Sequence, residues 1–147
     1  MHAAIFYNRA IAKSHLKDFQ GAIVDYTKSL SLKEDLETYY NRALMKIELK
    51  DYAGSLDDLD RAFEFKKDNG NFFFLRGDCQ FLLKDYKASI ADFDQAIELK
   101  PDFGKAFLFR GLARLNLNQK ASACTDLNKA KELGSTQANE FILKYCK

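Results

Sequence analysis

The tetrapeptide "LKDF" at residues 16–19 returns as "LKDY" at 49–52 and again as "LKDY" at 83–86. The starting points are almost evenly spaced, and a worn copy, "LNQK", stands one more interval on, at 117–120. Self-similarity at a fixed period of roughly 34 residues is the mark of a repeat architecture. Other residues keep the same beat. Arg9, Arg42, Arg76 and Arg110 recur, as do Asp25, Asp58, Asp92 and Asp126, and Leu32, Phe65, Leu99 and Leu133. Four families of positions in one phase divide the chain into four copies of one unit.

Each copy reads as two helices. The first covers roughly 3–16, 36–49, 70–83 and 104–117, and the second roughly 20–32, 53–66, 87–99 and 121–133. Apolar and small residues recur three and four apart along both, as in Phe6 and Ala10, then Ala22, Tyr26, Ser29 and Leu30. Lys-Asp pairs fill the turn inside a repeat. "KED", "KKDNG" and "KPDFG" fill the turns between repeats, and Pro101 sits where a helix must stop. No stretch alternates with period two, so no strand is expected. A last segment, "STQANEFILKYCK", offers Ser135 as an N-cap and an apolar stripe of Ala138, Phe141, Ile142 and Tyr145.

Small residues occupy fixed places: Ala10, Ala43, Gly77 and Gly111 in the first helices, and Ala22, Ser55, Ser89 and Ala123, then Ser29, Ala62, Ala96 and Ala130, in the second. Aromatic Phe19, Tyr52 and Tyr86 follow the turn. With Pro101 at a repeat end, this pattern resembles the tetratricopeptide repeat over nearly the whole chain. The departures are Glu34 and Lys67 at the proline place and Lys120 at the aromatic place. The resemblance implies an all-α right-handed superhelix, an α-solenoid. Its repeats would run about 3–35, 36–69, 70–103 and 104–134, with a capping helix at 135–147, in one domain of 1–147. The resemblance also implies a non-catalytic scaffold for protein–protein interaction.

Composition agrees with a globular chain: 147 residues, 47% hydrophobic and 30% charged. A net charge of +2 is too small to argue for nucleic acid or an anionic membrane surface. No apolar run reaches the roughly 18 residues that a bilayer span requires. The N-terminus lacks a signal-peptide pattern, and no capping residue precedes Ala3, which favours an interaction module cut from a larger enzyme or transport protein. Cys79, Cys124 and Cys146 have no CxxC spacing, so unpaired thiols in a reducing, cytoplasmic setting are expected. Cys79 and Cys124 should pack as small apolar residues.

Catalytic chemistry has little to stand on, and no catalytic residue, metal ligand or cofactor is expected. His2 and His15 have no acidic companions at metal-ligand spacing, and no glycine-rich phosphate loop occurs. Asp57, Asp58 and Asp60 lie on a helix, where they do not converge as calcium ligands do in a loop. The arginine series could read phosphates. The favoured reading is structural, because each arginine has an aspartate at one constant offset: Arg9 with Asp25, Arg42 with Asp58, Arg76 with Asp92 and Arg110 with Asp126. An Arg–Asp pair between stacked hairpins fixes register.

Phe72, Phe73 and Phe74 stand side by side in a first helix. Successive helical residues point about 100° apart, so one packing partner cannot cover all three. Phe73 shares its place with Phe6, Tyr39 and Phe107 and should be core, with Phe72 leaning to the same side. Phe74 shares its place with Tyr7, Tyr40 and Leu108. The resemblance places that stripe on the concave groove, with Ile11, Leu44, Asp78 and Leu112 one turn later and Asn8, Asn41, Leu75 and Phe109 flanking. The expectation is one continuous, aromatic-rich groove in which a protein or peptide partner, or a second copy of the chain, covers Phe74. Asp78 and Lys105 would set the direction of the bound segment. The family's basic clamp for acidic chaperone tails is nearly absent, since only Asn41 in one frame and Lys105 in another match it.

Overall fold

The computed structural model describes residues 2–147, and every regular element among them is an α-helix. Two compact units emerge, one up to Lys67 and one spanning Asp68–Lys147. The first holds α1 (Ala3–His15), α2 (Phe19–Leu32), α3 (Leu36–Glu48) and α4 (Tyr52–Phe65). The second holds α5 (Gly70–Leu82), α6 (Tyr86–Leu99), α7 (Gly104–Asn116), α8 (Lys120–Glu132) and α9 (Thr136–Tyr145). Within each unit the helices pack on their sequence neighbours. These are the helices expected from periodicity, with small shifts at their ends.

The recurring Lys-Asp pair has a stereochemical explanation. Lys17, Lys50, Lys84 and Asn118 all take the left-handed conformation, with φ of 61°, 61°, 63° and 59°. The reversal lets two following amides return to the helix just ended, as Lys17 N–H bonds to Ser14 O and Asp18 N–H to Lys13 O. The next residue caps the second helix: Asp18, Asp51 and Asp85 accept from the amides of Gly21, Gly54 and Ala88. In the worn copy Gln119 makes no such side-chain bond, which matches its departure from the motif. Ser135 caps α9 as expected, accepting from the Ala138 amide.

The small places are where helices meet. Ala10, Ala22, Ala43, Ser55, Ala62, Ser89, Ala96, Ala123 and Ala130 have no exposed surface. A Cβ built on Gly77 would lie 2.9 Å from the Phe93 ring, and one on Gly111 3.1 Å from Leu127 and 3.2 Å from the Ala123 carbonyl. Larger side chains there would force α5 from α6 and α7 from α8.

The sulfur chemistry departs from expectation. Cys124 and Cys146 form a disulfide joining α8 to the end of α9, so Cys124 does not pack as an unpaired thiol. Spacing could not reveal the pair, because 22 residues and a helix reversal separate the two. Cys79 is buried and stays outside the disulfide, as expected. The expectation of a cytoplasmic setting rested on unpaired thiols, and the disulfide removes that support. Among the described residues no helix is long and apolar enough to cross a membrane.

Candidate functional site

In the first unit α1 and α3 carry the first of the expected side chains. Tyr7 and Ile11 are half-buried and pack with Met45 on a core of Ala10, Ala22 and Tyr26. The Tyr7 ring lies 5.9 Å from that of Tyr26. Asn41 Nδ2 donates to the Tyr7 hydroxyl at 3.1 Å, joining equivalent faces of successive repeats. Burial pushes the Tyr7 and Tyr40 hydroxyls above the usual tyrosine range, with Glu37 adding to the effect at Tyr7. Tyr40 and Leu44 are half-buried and Asn8 is exposed. This face therefore combines fixed aromatic rings with an amide held in place.

The second unit answers the question of the three phenylalanines differently from the sequence expectation. Phe72 is buried. Phe73 is only half-buried and lies beneath the Arg76 guanidinium, 5.8 Å from its centre, so it is not core. Phe74 is half-buried and packs within its own unit: its ring lies 4.9 Å from Phe103, 5.7 Å from Phe93 and 5.9 Å from Phe109. Phe81 extends this cluster to Phe109 and Tyr86. Leu108, expected on the groove, is only 2% exposed and sits in the core with Leu127, Ala130 and Ala138. Phe109 and Leu112 pack against that core. Phe103, in the turn before α7, is the unforeseen neighbour of Phe74. No helical periodicity reaches a turn residue, so the sequence carried little signal for it.

Leu75 and Asp78 remain half-buried in the second unit, with Lys105 exposed. Burial raises the Asp78 carboxyl above its ordinary range, and Lys105 partly offsets this. The expected groove residues thus divide into two kinds. Tyr7, Ile11, Tyr40, Asn41 and Leu44 are half-buried in the first unit. Phe74, Leu108 and Phe109 are committed to packing in the second.

The arginine series pairs within its own repeats. Arg9, Arg42, Arg76 and Arg110 each grip Asp25, Asp58, Asp92 and Asp126 with two hydrogen bonds of 2.5–2.9 Å. Each guanidinium also stacks over the aromatic ring of the preceding turn, at 5.3–5.8 Å from its centroid. Three aspartates take a second cation one helical turn on: Lys13, Lys46 and Arg114. That second cation went unread although it keeps the same period. In the third repeat Gln80 stands there, its Oε1 buried without a hydrogen-bond partner among the described residues. Arg110 reaches further, to Asp94 of the preceding helix at 2.7 Å. Each guanidinium thus has at least two donors committed to its aspartate.

One consequence is an acid transition. The Arg9 hydrogen bonds, reinforced by Lys13, outweigh burial and hold the Asp25 carboxyl at about 2. The folded value lies below the ordinary Asp value of about 3.9, so the contribution is complete above that pH and is lost as pH falls toward the folded value. Thermal melts should lose stability between these two values, and Asp25→Asn should flatten that part of the profile. An unchanged profile in Asp25→Asn would show that Asp25 is not the group responsible.

The comparisons with known proteins come down on the repeat. Tetratricopeptide-repeat models match residues 3–36 and 71–103. MamA residues 41 to end from Desulfovibrio magneticus RS-1 superposes with a TM-score of 0.84 at 20% identity, over 89% of this chain and 75% of that one. YrrB, a tetratricopeptide-repeat protein described as having an unusual peptide-binding site, gives 0.79 at 21% identity, over 88% and 67%. The first tetratricopeptide repeat domain of Spaghetti (RPAP3), solved with the HSP90 peptide SRMEEVD, gives 0.73 at 20% identity, over 76% and 90%. At these identities the likeness is one of fold. No curated protein sequence matches the chain.

Proposed function

The chain belongs to the tetratricopeptide-repeat family, and on that premise we propose that it is a non-catalytic scaffold that binds a peptide or helix on the inner face of its first helices. The carrying observation is the face of the first unit. Tyr7, Tyr40, Ile11 and Leu44 present half-buried apolar surface, and Asn41, held by Tyr7, offers an amide beside it. Aromatic anchors beside an oriented amide suit an extended or helical segment, with rings supplying affinity and the amide holding backbone. Peptide binding by YrrB and by the RPAP3 domain supports the same use of the fold.

A phage-displayed random peptide library selected on the parent protein tests this. Selected peptides should bind Tyr40→Ala at least about thirtyfold more weakly, as loss of an interface anchor worth about 2 kcal/mol requires. The melting temperature should change little. A Tyr40→Ala protein that binds as the parent does would remove the site from this face, and one that unfolds would assign Tyr40 to the core. Phe74→Ala is unsuitable for the purpose, because the Phe93, Phe103 and Phe109 cluster would collapse with it.

A further inference from the structure

A second surface lies at the C-terminal end of the second unit. A cavity of about 470 Å³ opens between α7 and α9, with Leu112 and Leu115 on one wall and Phe141 and Tyr145 on the other. Asn116, Asn118, Lys120 and Lys144 complete the lining, and no acidic residue contributes. Among the described residues neither lysine forms an ion pair; the Lys144 ammonium lies 5.1 Å from the Tyr145 ring centroid. The volume is in the range of sites that accept small ligands or one or two large side chains. Two uncompensated cations beside an apolar cleft select an occupant that is apolar and anionic at once. We propose that this pocket docks a peptide whose aromatic or aliphatic side chain is flanked by carboxylates, and that the Cys124–Cys146 disulfide holds its outer wall in place.

The disulfide enters through the shortness of α9. That helix has 10 residues, fewer than the roughly 12–15 that a helix needs to persist on its own in water. Its early and middle turns are secured by Ala138, Phe141 and Ile142 on the core. Its last turn is not: Leu143 is mostly exposed and Tyr145 is 38% exposed. Lys144 and Tyr145, two of the three residues of the outer wall, lie in that turn beside Cys146. The bond to Cys124 on α8 ties the end of the wall down. A dithiol reductant would supply two electrons and two protons, cleaving the S–S bond into two thiols and itself becoming a disulfide. The wall would then be free to fray.

The probes are the fluorescein-labelled peptide Ser-Gly-Glu-Leu-Phe-Glu and its matched form with lysine in place of both glutamates, measured by fluorescence polarisation on the full chain. The oxidised protein should prefer the acidic peptide at least tenfold. Lys144→Glu, a surface change, should abolish that preference with an unaltered melt, whereas Tyr40→Ala should leave it intact. Treatment with dithiothreitol, or Cys146→Ser, should weaken binding at least threefold. Equal affinity for the two peptides overturns the proposal, as does unchanged binding after reduction or self-association of the chain through the pocket. Loss in Tyr40→Ala with parent-like binding in Lys144→Glu would place the peptide on the first unit, overturning this site while sparing the function proposed above.

Discussion

Asp58→Ala is expected to cost the first unit about 3–5 kcal/mol, the range for removing one partner of a buried ion pair. Its carboxylate is 3% exposed and lies between Arg42 and Lys46, whose side chains are 16% and 18% exposed. Arg42 donates from Nε at 2.8 Å and from a terminal nitrogen at 2.5 Å, and Lys46 sits at 2.9 Å. Removing the anion leaves two like charges side by side in a groove too dry to screen them. The remaining Arg42 bond, to Thr27 Oγ1 at 2.9 Å, cannot compensate a charge. Urea denaturation reads the effect directly. A loss under about 1 kcal/mol, typical of an exposed pair, would show that the groove is wet. Replacing Arg42, Lys46 and Asp58 together by apolar residues should cost less than Asp58→Ala alone, because no orphan charge remains.

Gly77→Leu should be nearly as damaging, with a loss of about 3 kcal/mol or more from overpacking. The first added carbon would already stand 2.9 Å from Cε1 of Phe93 and 3.2 Å from Cβ of Asp92. Phe93 has no exposed surface and is held by Phe74 and Phe109, so its ring has nowhere to go. Moving α6 instead would pull Asp92 from Arg76, now 2.8 Å away. Helix propensity alone argues the opposite sign, since glycine costs roughly 1 kcal/mol against good helix formers. Thermal melts of Gly77→Ala and Gly77→Leu decide between them: progressive destabilisation supports close approach, and stabilisation by alanine would show that the two helices have room.

The second unit also shows why a stripe of apolar residues is weak evidence for a binding surface. Phe74 occupies the same repeat position as Tyr7 and Tyr40 and is half-buried as they are, yet Phe103 and Phe109 pack against its ring. Repeat position determines which way a side chain points. What lies in front of it depends on the next turn, and the turn before α7 happens to carry a phenylalanine.

The amino-acid sequence by itself determined the all-α repeat and its helices. It also determined the small places where helix pairs close up and the pairing of each arginine with the aspartate at a fixed offset. All of these recur, and each is local or lies within one hairpin, so the repeat multiplies a weak signal four times. Only the tertiary structure decided the rest: that Asp25, Asp58 and Asp126 take a second cation, that Phe74 packs against Phe103 and Leu108 is buried, and that Cys124 meets Cys146. Each of these depends on the distance between side chains of different helices. That distance is set by how closely neighbouring helices pack, and no single-residue periodicity encodes it.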